Sequence, residues 1–318
     1  MQIESFLKKA ILKREKLFTD TATDCYRLFN GDGDGVPGLT IDWYGRYVLV
    51  QLFDEGLSSA VDDIRSSIRN SETMLPARPE GILLKNRLKP DDTRDIASAM
   101  RSVVLEGSEP PEGFSVRQNG IHALVDLVGG QSTGIFLDMR EVRDRLGGYY
   151  GCSDTMVNLF SYTALFSVHA VKHGITGAVN VDLSKGVLER ARDNYRLNGL
   201  KVDERDFIYG DSLEWIRRFR KKGKTFSLVI FDPPTFSRNR RRTFSIKKNY
   251  RESLDLVNGL VERGHVLTSV NSHSISREEY LSFHPDGWKP EFIANESSDF
   301  TNRGNPYLKA GLWKIKNS

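Results

Sequence analysis

Short apolar runs alternate with longer amphipathic segments through the C-terminal two thirds of the chain, and this alternation constrains the fold more than any other feature. In order, the runs are TMVNLF, AVNVDL, FIYG, SLVIFDPP and HVLTSVN. Apolar strands that alternate with helices and are bounded by polar loops are typical of a parallel sheet with helices on both faces. The sequence therefore predicts an α/β fold, with a Rossmann-like domain over residues 118–318.

The first third of the chain has a different pattern. Residues 3–17 carry apolar side chains at helical spacing, which predicts an amphipathic helix within an N-terminal segment of residues 1–22. Residues 23–117 contain the strand patterns CYRLF, GLTIDWYG, RYVLVQLF and GILLKN, with one helix among them. We therefore expect a small β-rich α+β domain there, in contact with RNA, and we expect LEGSEPPEG to be a linker or surface loop.

A glycine-rich stretch at residues 33–38 matches the GxGxxG pattern of dinucleotide-binding loops. That pattern binds a pyrophosphate only where it follows a strand and opens a helix. Here Pro37 and the run LTIDW follow, so the stretch is predicted to be a turn between strands. Asp32 and Asp34 also suggest a calcium loop, but the later ligands of such a loop are absent from the sequence.

Composition excludes several classes of protein. The only two cysteines, Cys25 and Cys152, allow neither a disulfide framework nor a CxxC metal site, which is typical of the reducing cytosol. No apolar run has membrane-spanning length and the N-terminus lacks a signal-peptide core, so we expect a cytoplasmic protein without a membrane partner. His169 and His173 have a zinc-binding spacing but no third ligand, so they are expected to be helix-surface residues, and no metal is expected.

Positive charge is concentrated in two runs. Residues 217–224 contain six Lys or Arg, and residues 238–251 contain seven in fourteen positions. The runs stand on either side of the DPPTF sequence, which favours a polyanionic partner, with a solvated surface as the alternative. The candidate contacts are Arg238, Arg240, Arg241, Arg242, Lys247 and Lys248.

Three aspartates follow successive predicted strands of the second domain. Asp182 ends VNVD, Asp211 comes just after FIYG, and Asp232 ends VIFD. In an open α/β sheet, ligands bind outside the carboxyl ends of the strands. Asp182 could accept hydrogen bonds from both hydroxyls of a ribose, and Asp211 from an adenine amine. Each could instead cap a helix or a turn, but three at equivalent positions favour a ligand site.

The DPPTF sequence is the most specific local motif. Its two prolines, Pro233 and Pro234, restrict the backbone where the chain leaves the sheet, so the Asp232 carboxylate is expected to be held rigidly in the site. Phe236 offers a face on which an extruded base can stack. A rigid turn with a core phenylalanine is the alternative.

Several motifs together resemble the class I methyltransferases that modify large-subunit (23S) ribosomal RNA. They are NLFSYT (158–163), VDLS (181–184), NYRLNGL (194–200), DPPTFS (232–237) and NPYLK (305–309). GQSTGIFLDMRE (130–141) is similar to the segment that leads into the family's catalytic domain, and residues 25–45 to the small domain before it. The resemblance implies a Rossmann-like class I methyltransferase domain, S-adenosyl-L-methionine as cofactor, and ribosomal RNA or a ribosome-assembly intermediate as partner. No oligomeric state follows from it.

The resemblance also implies which residues bind the cofactor. They are Phe160, Ser161, Tyr162 and Thr163 in a cradle, Asp182 at the ribose, Asp211 and Ser212 near the adenine, Thr133 and Arg140 near the methionine end, and Leu183, Ser184 and Asp232 as further cofactor-binding residues. The family usually has a glycine after the SYT run, and here Ala164 and Leu165 stand instead. Alanine is harmless there if its φ is negative, and Leu165 can turn into the helix. A methyltransferase-like RNA-binding protein without turnover is the alternative that this departure raises.

Position 271 separates two branches of the family. The branch that makes 5-methylcytosine needs a thiolate, because carbon 5 of cytosine becomes nucleophilic only after a thiolate adds to carbon 6. Where that branch has its cysteine, this sequence has Asn271. Cys152 precedes the first strand of the domain and is expected at the opposite sheet edge, and Cys25 belongs to the other domain.

The branch that makes 7-methylguanine resembles this chain more closely, with DPPTFS, NLFSYT followed by VHA, and an asparagine in place of the cysteine. Guanine N7 already has an exposed lone pair and needs only to be positioned in line with the methyl group. We therefore expect direct transfer to a base nitrogen, with 5-methylcytosine as the alternative product and a small-molecule methyltransferase as a further rival. The expected catalytic residues are Asp232, Pro233, Pro234, Phe236 and Asn271.

Overall fold

The computed structural model describes residues 3–88, 101–130, 132–152, 154–238, 243–304 and 306–316. The chain forms two compact units, one of Met1–Arg140 with Ser297–Gly304, and one of Glu141–Glu296 with Asn305–Ser318. The division falls after Arg140, whereas the sequence pattern predicts a boundary after residue 117. The boundary lies later in the chain because the segment after residue 117 is hydrogen-bonded to the first unit. For example, the Gly120 N–H donates to the Ala22 carbonyl at 3.0 Å.

The first unit is built on a five-stranded sheet. Its elements are α1 (Ile3–Arg14), β1 (Cys25–Asn30), α2 (Gly31–Asp34), β2 (Leu39–Tyr44), β3 (Tyr47–Leu52), α3 (Val61–Asn70), β4 (Gly81–Asn86), β5 (Val103–Gly107), β6 (Ser115–Gln118) and β7 (Ile121–Leu124). The sheet order is β1-β2-β3-β4-β5, with β3 and β4 parallel and the other neighbours antiparallel. β6 and β7 form a separate hairpin. The start of the predicted LEGSEPPEG loop belongs to strand β5, because Glu106 and Gly107 pair with Ile82 and Gly81 of β4.

Apolar side chains alternate with more polar ones along the strands of this sheet, so one face of the sheet is apolar. Trp43 and Val50 on that face are fully buried, and they belong to one core cluster with Leu7 of α1 and Ile64 of α3. The predicted N-terminal helix is therefore part of the core of the first unit.

The GxGxxG stretch is structural, as the sequence predicts. It begins in the last two residues of the single helical turn α2 and continues as a turn that leads into β2. The Asp34 carboxylate is buried and pairs with Arg14 at 2.6 Å. A Cβ at Gly33 would come within 2.0 Å of the Thr301 carbonyl oxygen, so glycine is needed there for space.

The second unit has a seven-stranded sheet between helices. Its elements are α4 (Arg140–Leu146), whose first residue belongs to the first unit, β8 (Thr155–Leu159), α5 (Leu165–Lys172), β9 (Gly177–Asp182), α6 (Lys185–Leu197), β10 (Phe207–Tyr209), α7 (Ser212–Lys221), β11 (Leu228–Phe231), β12 (Phe236–Arg238), β13 (Thr243–Ser245), α8 (Ile246–Asn258), β14 (Arg263–Asn271), α9 (Arg277–Ser282), β15 (Lys289–Ala294) and β16 (Leu308–Lys316). The sheet order is β10-β9-β8-β11-β14-β16-β15. The first five strands are parallel, and β16 is antiparallel to both of its neighbours.

Burial explains the near-continuous apolar strands of this sheet. All four residues of β11 are buried, as expected for a central strand covered by helices on both faces. The predicted α/β fold, a Rossmann-like domain after a small α+β domain, is therefore confirmed. Among the described residues, no helix is both long enough and apolar enough to cross a membrane.

Of the two histidines expected on the surface of α5, His173 is exposed and His169 is not. His169 is only 2% exposed, and its Nδ1 lies 3.0 Å from the Tyr150 hydroxyl, so it is not a helix-surface residue. Burial, together with neighbouring His173, lowers the pKa of His169 to about 3. The described residues contain no group of three or more His, Cys, Asp or Glu side chains placed to hold a metal ion.

Candidate active site

The parallel strands of the second unit end at one common edge. Strand ends pair in register, Leu159 with Val181 and with Phe231, and Tyr209 with Asp182. From β8 the chain builds the sheet outward through β9 to β10, and then starts again on the other side of β8 with β11. Ligands of open α/β sheets bind at such a switch point, so the loops after β8 and β11 are where a ligand is expected.

The loop after β8 has an unusual backbone. Phe160, Tyr162 and Ala164 all adopt left-handed conformations, with φ of 58°, 47° and 60°. Such residues cost about 1–3 kcal/mol each and cluster where a ligand is held. The loop is kept in this shape by hydrogen bonds from the Phe160 N–H to Ser212 Oγ, at 3.0 Å, and from Asn194 Nδ2 to the Thr163 carbonyl, also at 3.0 Å.

Ala164 corrects one expectation. Its φ is positive, so the condition under which alanine replaces glycine without strain is not met. The backbone keeps a conformation that glycine favours, and the methyl group is fully buried. Leu165 begins α5, as expected.

Asp182 holds this loop from the neighbouring strand. Its carboxylate accepts hydrogen bonds from the backbone N–H groups of Tyr162 and Ser184, each at 2.9 Å. Burial raises the pKa of the Asp182 carboxyl above its ordinary value, although these backbone donors act in the opposite direction. A partly buried carboxylate with fixed oxygens is suited to accept hydrogen bonds from a ribose.

Two further observations fit an adenosine-containing cofactor at this edge. Ser161 is buried, and its hydroxyl has no hydrogen-bond partner among the described residues, so it can bond to a ligand. Leu183 is 43% exposed beside Asp182, which places an apolar side chain where an adenine ring can pack.

Other predicted cofactor residues have structural roles that are visible in the fold. Asp211 caps α7 by accepting hydrogen bonds from the Leu213 and Glu214 N–H groups, and Ser184 caps α6. Ser212 is 1% exposed and accepts the hydrogen bond from Phe160, so it positions the loop.

Thr133 and Arg140 belong to the first unit. The Thr133 hydroxyl lies 3.2 Å from the Tyr44 hydroxyl, and Arg140 pairs with buried Asp299 at 3.0 Å. Their assignment to the methionine end of the cofactor stays a prediction.

The DPPTF segment follows β11 at the same edge. The Asp232 carboxylate accepts a hydrogen bond from the Ser269 hydroxyl, which fixes it against β14. Pro233 is buried and Pro234 is exposed. Phe236 is 63% exposed, so the alternative of a core phenylalanine is wrong, and its ring is accessible to a base.

Asn271 ends β14 next to this segment. Its side chain is exposed, and its backbone carbonyl accepts a hydrogen bond from the Thr235 hydroxyl. Buried Lys309 of β16 donates from Nζ to the carbonyl of Ser272, the next residue, at 2.8 Å. The structure therefore brings Asp232, Phe236 and Asn271 to neighbouring loops.

Sequence reasoning missed the residues that hold these loops. Thr235, Ser269 and Lys309 lie within the sequence motifs, but the motifs predict no role for any of the three. Tyr250 of α8 also supports the site, since it is fully buried and its hydroxyl donates to the Ser269 carbonyl at 2.7 Å. A buried lysine has no sequence signal of its own, because lysine is usually exposed.

The predicted RNA contacts are only partly described. Lys247 and Lys248 are exposed in the first turn of α8, and the backbone of Arg238 ends β12. Arg240, Arg241 and Arg242 lie outside the described residues. Residues 217–224 form the end of α7 and the turn after it, at the far edge of the sheet from the DPPTF segment.

Comparison with known proteins agrees with this geometry. The model of the S-adenosylmethionine-dependent methyltransferase family matches residues 26–284. The chain belongs to this family. Its cofactor is S-adenosylmethionine, so the predicted enzyme class and cofactor are confirmed. The structure of SMU.776, complexed with SAH, superimposes with a TM-score of 0.88 at 28% identity, covering 98% of this methyltransferase and 80% of that chain.

Curated relatives of this methyltransferase carry a more specific name. Ribosomal RNA large subunit methyltransferase I of Photobacterium profundum is 32% identical over 268 residues, which are 83% of this chain and 65% of that protein. YwbD of Bacillus subtilis, provisionally named a ribosomal RNA large subunit methyltransferase, is 33% identical over 280 residues, 88% of this chain and 69% of that protein. The chain thus spans about two thirds of the length of these relatives.

Proposed function

We propose that the protein methylates a base of large-subunit ribosomal RNA by direct transfer to a ring nitrogen, guanine N7, without a covalent enzyme–RNA adduct. The ribosomal substrate is supported by the names of the curated relatives and by the exposed Lys247 and Lys248 near the site. The mode of transfer is supported by one observation, Asn271 at the end of β14.

Neither cysteine supports the rival route through a thiolate. Cys152 precedes β8, at the opposite edge of the sheet from Asn271, and a five-residue strand separates the edges by about 17 Å. Cys25 is fully buried in the first unit, with its sulfur 3.3 Å from the Arg117 carbonyl. Neither cysteine is therefore placed to supply a thiolate that could add to cytosine carbon 6 in the candidate active site.

In the proposed reaction the protein binds the cofactor and the target base and aligns them for methyl transfer. When bound, S-adenosylmethionine supplies an electrophilic methyl group on its sulfonium. Guanine N7 would accept that methyl group directly through its lone pair, so the protein would have no proton to remove and the base would gain the positive charge. Phe236 stacks on the extruded base, and Asp232 places a carboxylate near the charge that the base gains.

Two measurements test the proposal. Large-subunit ribosomal RNA from cells that lack the gene is methylated in vitro, and its nucleosides are identified by mass spectrometry; 7-methylguanosine is expected. RNA carrying 5-fluorocytosine traps enzymes that form a thiolate adduct, and no denaturant-resistant complex is expected here. The Cys25→Ala/Cys152→Ala variant should keep its activity.

A trapped complex, or 5-methylcytidine as the sole product, would show that position 271 has been misinterpreted. Cofactor binding without methylation of any RNA would favour the RNA-binding alternative that Ala164 raised.

A further inference from the structure

The end of α7 and the start of β14 form a basic surface at the amino edge of the second unit's sheet, away from the candidate active site. Four of its cations come from the end of α7 and the turn after it, and two come from Arg263 and Lys316, which pair across β14 and β16. We name this set the amino-edge surface: Arg220, Lys221, Lys222, Lys224, Arg263 and Lys316. All six residues are exposed.

Packing fixes the arrangement of this surface. The Phe226 N–H, at the end of the turn, donates to the Leu260 carbonyl at 2.8 Å. A Cβ at Gly259 would come within 2.4 Å of Arg220 Nε, so glycine there makes room for the guanidinium. Lys224 Nζ lies 5.1 Å from the centre of the Phe226 ring. The cations are therefore presented from a folded edge and not from a free loop.

The cations of this surface form no direct ion pairs, although Asp206 interacts electrostatically with Lys224 and exposed Glu262 precedes Arg263 in the chain. Within the part of the chain that the structure describes, no carboxylate lies within ion-pair distance of any of the six. Other cations of the same unit differ, since Arg192 pairs with both Glu189 and Glu204. Lysine and arginine in the last turn of a helix also stabilise its dipole, which accounts for Arg220 and Lys221. It does not account for Arg263 and Lys316, which lie in strands.

We propose that the amino-edge surface binds backbone phosphates of the RNA substrate at a distance from the methylated base. The proposal rests on the proposed function, and it adds a second contact site for the same RNA. RNA carries a negative charge on every nucleotide, which matches a surface of six exposed cations. α7 has ten residues and spans about 15 Å between the two edges. That span corresponds to roughly four or five nucleotide steps at about 3.4 Å each.

The test compares two triple variants with equal loss of charge. Lys221→Gln/Lys222→Gln/Lys224→Gln changes the amino-edge surface, and Lys9→Gln/Lys16→Gln/Lys201→Gln removes three exposed lysines elsewhere. Binding of protein-free large-subunit ribosomal RNA is measured over a series of KCl concentrations. The amino-edge variant should lose about two to three units from the slope of log K against log salt, while the control keeps the wild-type slope. At saturating RNA its kcat should be unchanged and its KM raised.

Equal slopes for the two variants would overturn the proposal. If the amino-edge variant also loses cofactor affinity, the variant Arg263→Gln/Lys316→Gln replaces it in the same measurement. A wild-type protein that binds RNA but methylates none of it would contradict the proposed function alone, because the slopes still decide whether this surface contacts RNA.

Discussion

Asp182→Ala tests the cofactor site directly. The carboxylate is fixed by the N–H groups of Tyr162 and Ser184, each at 2.9 Å, and it is expected to accept hydrogen bonds from the cofactor ribose. A hydrogen bond to a charged group contributes about 1.5–3 kcal/mol. The substitution should therefore weaken binding of S-adenosylmethionine by about 10- to 150-fold, since each 1.4 kcal/mol corresponds to a factor of ten.

Asp182→Asn is the matched variant because it keeps the shape of the side chain and one acceptor oxygen. Burial raises the pKa of the Asp182 carboxyl, so protonation begins at a higher pH than for an exposed aspartate. The ionised form is the one that accepts from the ribose, and cofactor affinity should therefore fall as the pH is lowered through this raised pKa. The Asn variant should lose that dependence. The free energy of unfolding depends on pH in the opposite direction. A raised carboxyl pKa stabilises the folded state at low pH, and this stabilisation is lost as the pH rises through the raised pKa.

Calorimetric titration of the wild type and both variants, across a pH series, measures these effects. Unchanged affinity in the Ala variant would refute the assignment of the ribose to Asp182. If the Asn variant binds as tightly as the wild type while the Ala variant does not, Asp182 acts by holding Tyr162 and not by contacting the cofactor.

Two further substitutions test the loops of the site. Ala164→Gly should change the free energy of unfolding by less than about 1 kcal/mol, because relief of about 1–2 kcal/mol of left-handed strain offsets the loss of the buried methyl group and the greater chain entropy of glycine in the unfolded state. Ala164→Val should lower both the melting temperature and the cofactor affinity. A Val variant that matches the wild type in both measurements would contradict the left-handed φ of 60°. Lys309→Met should lower kcat about tenfold or more with unchanged cofactor affinity, because it removes the hydrogen bond of about 1.5–3 kcal/mol to the Ser272 carbonyl. Lys309→Arg should restore part of the rate. Steady-state kinetics that show an unchanged kcat for the Met variant would remove Lys309 from the site.

The sequence predicts local elements of this fold well. GILLKN coincides with β4, and the runs predicted as parallel strands correspond to β8, β9, β10, β11 and β14. Periodicity reports which faces of an element are apolar, and apolar runs bounded by turns mark buried strands. The three aspartates accordingly lie at the strand ends where the sequence placed them.

Long-range pairing was not accessible from those patterns. β16 inserts between β14 and β15, so the last strand in sequence is not the last in the sheet. Ser297–Gly304 returns to the first unit, where Asp299 meets Arg140 from 159 positions away. Neither feature leaves a local periodicity, because both depend on the register of distant segments.

The chemical roles of individual residues are a second feature that could not be predicted fully from the sequence. For Asp211 the sequence allows both a ligand contact and a helix cap; the structure shows the cap, and the ligand contact stays a prediction. The φ of Ala164 had the opposite sign from the one that would make alanine harmless, and only the backbone could reveal it. One residue type serves several roles, so its role is set by its neighbours.

The contacts around Asn271 suit alignment of a base more than covalent chemistry. Thr235 ties the DPPTF segment to the Asn271 carbonyl, Ser269 holds Asp232, and Lys309 fixes the residue after Asn271. All three contacts restrain the loops and leave the Asn271 side chain exposed. Direct transfer to a lone pair depends on positioning alone, where displacements of about 1 Å cost orders of magnitude in rate. A thiolate mechanism would also require a nucleophile at this position, and the chain places an amide there.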